Sequence, residues 1–104
     1  MTVAKQFGAN LAARRKDAGL SQEELAWGAS VHRTEISQLE RGLRIPRIDT
    51  LVKLATTVGI KPEVLLAGIV WTPGNVRLGR FVEAEVPGLG TVHRRVRVER
   101  QGKE

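Results

Sequence analysis

Four polar side chains fall close together in one short stretch of the chain: Arg33, Thr34, Ser37 and Gln38. On a helix, spacings of one and of three to four residues bring them into one compact patch near the helix start. Their chemistry suits the edges of base pairs. Arginine can donate to guanine O6 and N7 together, and glutamine can pair with adenine N6 and N7. A good bidentate pair of this kind is worth roughly 1–3 kcal/mol of discrimination. Arg41, Arg44 and Arg47 follow at once, placed to flank a groove and neutralise phosphate charge. Gln22, at the start of the preceding helix, could meet a phosphate with help from that helix's free amides. Each residue alone is an ordinary solvated surface group. Together, around one helix, they point to double-stranded DNA. No rival chemistry is arranged: there is no nucleophile site, no glycine-rich phosphate loop between strand and helix, and no histidine pair at metal spacing. Glu23, Glu24 and Glu40 are explained by capping and ion pairing. The chain is read as not an enzyme, with no cofactor and no metal.

The totals agree with that reading. At 104 residues the chain is one small domain with room for an appendage. Apolar content of 41% and charged content of 27% are those of an ordinary globule. No cysteine is present, so disulfides and thiolate metal sites are excluded, and two histidines, His32 and His93, make a poor zinc set. No apolar run approaches the ~20 residues of a membrane span. The first ten residues, MTVAKQFGAN, lack the apolar core of a secretory signal, and a cytoplasmic protein is expected. Net charge is +6 with a pI near 10.8, which suits a polyanionic partner as well as simple solubility. The excess divides evenly, +3 in residues 1–67 (ten basic, seven acidic) and +3 in 68–104 (seven and four).

The elements that must position the patch follow from periodicity. A first helix is predicted over 2–18, with Val3, Phe7, Leu11 and Ala18 at helical spacing and Gly19 as its stop. Ser21-Gln22-Glu23-Glu24 is a capping box that starts a second helix, with Leu25, Ala26 and Ala29 as a small apolar face. Trp27 falls on its outer side and is expected to half-pack on a neighbour. A turn at 28–31 leads into a third helix, from about 32 to 41, with Ile36 and Leu39 inward alongside Val31. Gly42 ends it. After the basic loop at 43–47, with Pro46 excluding helix, the stripe Ile48, Leu51, Leu54, Ala55 and Val58 predicts a fourth helix that stops at Gly59. Pro62 suits the first turn of a short fifth helix, with Val64, Leu65 and Leu66 in or near the core and Gly68 as its stop.

Beyond residue 68 the texture changes. Residues 71–75, WTPGN, read as a linker turn. The runs 80–86 and 91–99 alternate: Val82, Ala84 and Val86 share one face, as do Val92, Val96 and Val98. Glu83 and Glu85 oppose His93, Arg95 and Arg97 across the polar face, and 87–90 is turn chemistry. This predicts a β-hairpin whose valine face needs a partner, since a lone hairpin is marginal in water.

Residues 7–68 resemble the phage repressor and Cro-like helix-turn-helix family, also called the Xre family. The resemblance rests on Arg15, on Leu20-Ser21-Gln22-Glu23-Glu24-Leu25-Ala26, on Val31, on Ile36-Ser37-Gln38-Leu39-Glu40-Arg41-Gly42, on Pro46, and on Leu51, Lys53, Leu54, Ala55 and Gly59. It implies a mainly α fold: a five-helix repressor-like helix-turn-helix domain over 1–68, here with a linker and C-terminal β-hairpin extension over 69–104. It implies that the third helix lies in the major groove, with Arg33, Thr34, Ser37 and Gln38 facing bases. Gln22 and His32 would hold phosphate positions, with Arg41 and Arg44 also on the backbone. Arg15 and Glu40 match a structural pair tying the first helix to the third. Two positions depart from the family. Ser30 stands in the turn where glycine is common, and His32 replaces the usual Ser or Thr at the start of the third helix.

The function implied is a sequence-specific DNA-binding transcriptional regulator, a repressor in the simplest case, acting as a homodimer on two-fold sites. Two other readings stay open. An antitoxin could repress its own operon through the same domain and hold a toxin with residues 70–104. A protein-interaction module could keep the fold without binding DNA.

Overall fold

The computed structural model describes residues 2–74 and 79–83, and for Glu83 the backbone alone. The strand expected over 91–99 and the turn before it lie outside these residues. The first helix, α1, runs Val3–Asp17, and the Thr2 hydroxyl accepts from the Lys5 amide at 3.1 Å to cap its start. Phe7 and Leu11 are fully buried, while Ala18 lies past the helix end and is exposed. The second helix, α2, spans Gln22–Ala29 and carries the expected capping box. The Glu24 amide donates to Ser21 Oγ at 3.0 Å, and the Ser21 amide donates to Glu24 Oε1 at 2.8 Å. The third, α3, is Arg33–Glu40, and the fourth, α4, is Ile48–Val58.

The expected fifth helix is instead a 3-10 turn, Pro62–Leu66. Only five residues are available between two changes of chain direction, too few to nucleate and extend an α-helix. Leu65 is buried there, but Leu66 is exposed, because the tighter winding carries it off the core side. Asn10 on α1 secures this turn: its Nδ2 donates to the carbonyls of Leu65 and Ala67 at 2.9 and 2.8 Å.

One core joins these elements. Phe7, Leu11, Leu25, Ala26, Ala29, Ile36, Leu39, Leu51, Leu54, Ala55 and Leu65 form it, with Val31, Val58, Ile60 and Ile69 packed against it. Each fully buried large side chain contributes roughly 1.5–3 kcal/mol through removal from water. Ile48 does not join the predicted stripe. It opens α4 on the solvent side and is exposed. Close approach of helices is obtained with glycine. A Cβ at Gly8 would meet the backbone carbonyl oxygens of Leu39 and Glu40, so α1 lies against the end of α3. A Cβ at Gly28 would meet the Thr57 side chain on α4.

Residues 71–75 are not all turn. Ile69–Thr72 forms a strand, β1, paired antiparallel with β2, Arg80–Glu83, in the register Ile69 with Glu83 and Trp71 with Phe81. The run Ile-Val-Trp-Thr is β-branched and aromatic, which favours a strand, and it ends just before Pro73. Among the described residues, then, 80–83 pairs with the segment before it. Trp71 and Phe81 meet edge to face with ring centroids 5.2 Å apart. A side chain at Gly79 would run into the Trp71 ring.

Candidate nucleic-acid interface

The candidate interface is built around α3. Ile36 and Leu39 hold one side of it in the core at zero exposure. Arg33 and Thr34 at its start are exposed, and Ser37 and Gln38, one turn on, are half-buried. The four predicted base-facing residues thus share the side away from the core, with the outer two farther into solvent. His32 is the N-cap residue and is exposed, and its side chain makes no cap hydrogen bond. Ser30 takes up the left-handed conformation that its position demands, at φ 57° and ψ 44°. Both departures from the family pattern are therefore real features of the turn.

Behind α3 sits a polar network. Arg15 Nε donates to Glu40 Oε2 at 2.6 Å and Nη2 to Oε1 at 3.1 Å, while Nη1 donates to the Leu20 carbonyl at 2.8 Å. The side chains are 12% and 7% exposed, so solvent screens the pair little. The hydrogen bond to Glu40 raises the Arg15 pKa above its ordinary value, with burial opposing and the opposite charge adding to it. A raised arginine pKa contributes stability that is fully present below the ordinary arginine range and lost only above it, so this arginine adds no pH dependence near neutrality. Gln22 joins the same network, its Nε2 donating to Glu40 Oε1 at 3.0 Å. The predicted phosphate-facing glutamine is therefore held at the start of α2 by the pair that fixes α3. Spacing alone could not reveal this link, because it joins residues eighteen apart across the turn.

The arginine rim is set by the end of α3. Gly42 reverses the chain at φ +73°, with the Leu43 amide donating to the Gln38 carbonyl at 2.9 Å and the Gly42 amide to the Leu39 carbonyl at 3.1 Å. A Cβ on Gly42 would also press on Lys5 of α1, at 2.7 Å from its Cγ. This reversal returns the chain over α3, and Arg44 Nη1 donates to Gln38 Oε1 at 3.1 Å. Arg41 Nε reaches back to the Ser37 carbonyl at 3.4 Å. Arg47 lies beside Asp49 at 3.4 Å, but with side chains 82% and 58% exposed the contact is weak and leaves the arginine available to another anion. Trp27 is 88% exposed. The expected half-packing is wrong, because the tight contact of Gly28 with α4 turns the preceding side chain into solvent. Among the described residues no cluster of His, Cys, Asp and Glu could hold a metal ion, and no helix is long and apolar enough to cross a membrane.

A small helical core that presents the polar side of one short helix within a basic rim defines a helix-turn-helix protein. The chain belongs to the HTH_3 helix-turn-helix family, a family of DNA-binding transcription regulators, whose model matches residues 11–65. The phage repressor-like resemblance read from the sequence is borne out. An uncharacterized HTH-type transcriptional regulator, y4dJ of Sinorhizobium fredii, is 35% identical over 77 residues, covering 74% of this chain and 100% of its own length. The restriction-modification controller protein C.AhdI from Aeromonas hydrophila has a similar structure, with TM-score 0.58 and 37% identity over 60% of this chain and 94% of that one. The P22 c2 repressor, solved in complex with a synthetic operator, aligns with TM-score 0.55 and 32% identity over 58% of this chain and 91% of its own.

Proposed function

We propose that this chain is a cytoplasmic transcriptional regulator that binds a specific duplex DNA site as a homodimer and, in the simplest case, represses by occupying it. In this reading residues 1–68 are the DNA-binding unit, and α3 enters the major groove with Arg33, Thr34, Ser37 and Gln38 toward the bases. Gln22, His32, Arg41, Arg44 and Arg47 lie along the phosphates. One observation carries the assignment: α3 is anchored through Ile36 and Leu39 and presents its polar side between the capped start of α2 and three arginines. The operator complex of the P22 c2 repressor supports it by likeness. A single domain offers little contact area for tight specific binding, which favours pairing. Exposed apolar side chains on α4, Ile48 and Val52, and on the extension over 69–104, Trp71 and Phe81, offer surface for it. The relatives named above are regulators and a controller protein, which favours this reading over the antitoxin one. No catalytic role belongs to it.

Selection of bound duplexes from a random pool tests the proposal. The wild-type protein should enrich a two-fold site with half-sites about one helical turn apart. The double variant Arg33→Ala, Gln38→Ala should keep its helical circular dichroism and lose that preference. Unchanged sequence preference in the double variant would remove α3 from the groove.

A further inference from the structure

We propose that Arg44 sets the base that Gln38 reads, directing it to guanine rather than adenine. The proposal rests on α3 entering the major groove. A free glutamine amide is ambivalent, with an acceptor and a donor side by side, and its usual major-groove partner is adenine. Gln38 is not free. Its oxygen accepts from Arg44 Nη1 at 3.1 Å. A guanidinium has N–H donors and no acceptor, so only the amide oxygen can face it. The orientation of the amide is therefore dictated by chemistry: Oε1 lies toward Arg44, and the NH2 group is left for the base.

The pair as a whole offers donors. The amide NH2 has two N–H groups, and Arg44 retains others beyond the one given to Gln38. Guanine presents two adjacent acceptors in the major groove, N7 and O6. Adenine presents one acceptor and the N6 amino donor. The second lone pair of Gln38 Oε1 does not rescue adenine. An amino group approaching it would come up beside the guanidinium N–H groups, donor against donor. The rigidity behind this arrangement is local. Gly42 reverses the chain in a two-hydrogen-bond helix end, and its lack of a side chain lets it lie on Lys5. Residue 44 is thereby returned to Gln38, six positions back in sequence.

The experiment compares sites selected from random duplexes by the full chain, wild type, Gln38→Ala, Arg44→Ala and Arg44→Lys. The position read by Gln38 is the one whose preference disappears in Gln38→Ala. The wild type should hold guanine there. Arg44→Ala should swing that position toward adenine by about ten-fold, within the span of one bidentate contact, while other positions keep their bases. Arg44→Lys, which restores a donor, should return the preference part way to guanine. Adenine at that position in the wild type overturns the proposal. So does an Arg44→Ala protein that loses affinity equally for all sequences, since a phosphate contact alone would behave so. A Gln38→Ala protein with every preference intact overturns it as well. A wild type that enriches no sequence fails earlier, before any variant is compared, and overturns the groove assignment with it.

Discussion

Ser30 carries a Cβ into left-handed backbone, at φ 57°, where such a residue is disfavoured by roughly 1–2 kcal/mol. Glycine there relieves the clash but frees the unfolded chain, which offsets part of the gain. Two residues on, His32 opens α3 without a side-chain cap, although Glu35 already stands at the third position of the helix. Serine at 32 would complete a capping box with it, worth about 1 kcal/mol. Ser30→Gly and His32→Ser should each raise the thermal midpoint by several degrees, since about 1 kcal/mol moves a domain of this size by roughly 4–8 °C. Parallel melts of the two variants check this. A fall in midpoint for Ser30→Gly would mean that the serine side chain contributes more than its backbone costs. Both positions were legible in the sequence, because each breaks a pattern that its neighbours keep. The bond between Arg44 and Gln38 was not: it depends on a chain reversal, and no helical spacing connects the two.

At the scale of elements, the starts and stops of the helices were plain. The capping box at Ser21 and the glycines at 19, 42 and 59 mark chemistry that backbone groups require, and the chain obeys them. What covers each apolar side chain was less plain. Ile48 and Trp27 have the right spacing or size for packing, yet no neighbouring element reaches them. The 3-10 turn reads like a helix because its apolar residues are consecutive, and a four-residue strand beside Pro73 reads like a linker. Gly8 was also hidden, since a glycine within a helix pattern signals only weakness, about 1 kcal/mol against alanine. Here it is a point of contact. Gly8→Ala should gain in helix propensity and still destabilise the protein, by about 1–3 kcal/mol, because α1 must move off the last carbonyls of α3. Denaturant titration reads the sign directly. A stabilised Gly8→Ala protein would show that the two helices can separate without loss.

For the whole molecule, a net charge of +6 gives attraction to any polyanion, and the phosphate contacts proposed for Arg41, Arg44 and Arg47 would give that attraction a place. The basic excess and the three arginines were readable in the sequence, but the return of Arg44 onto Gln38 required the fold. Binding should weaken steeply with salt, and Arg47→Ala should lower affinity for all sequences alike and reduce the slope of log K against log salt by about 1 per protomer. Fluorescence anisotropy across a salt series measures it; an unchanged slope would take Arg47 off the phosphates. The exposure of Trp27 bears on how any of these variants is observed. The chain has two tryptophans and no tyrosine, so its ultraviolet emission comes from Trp27 and Trp71. Trp27, 88% exposed, already emits from water and has little to lose on unfolding. Trp71, half-covered and edge-on to Phe81, supplies the optical change. A melt followed by emission therefore tracks the detachment of the two-stranded sheet, whereas circular dichroism tracks the helices. Separate midpoints from the two probes would not make the helical core multistate; their difference would measure how independently the sheet comes loose.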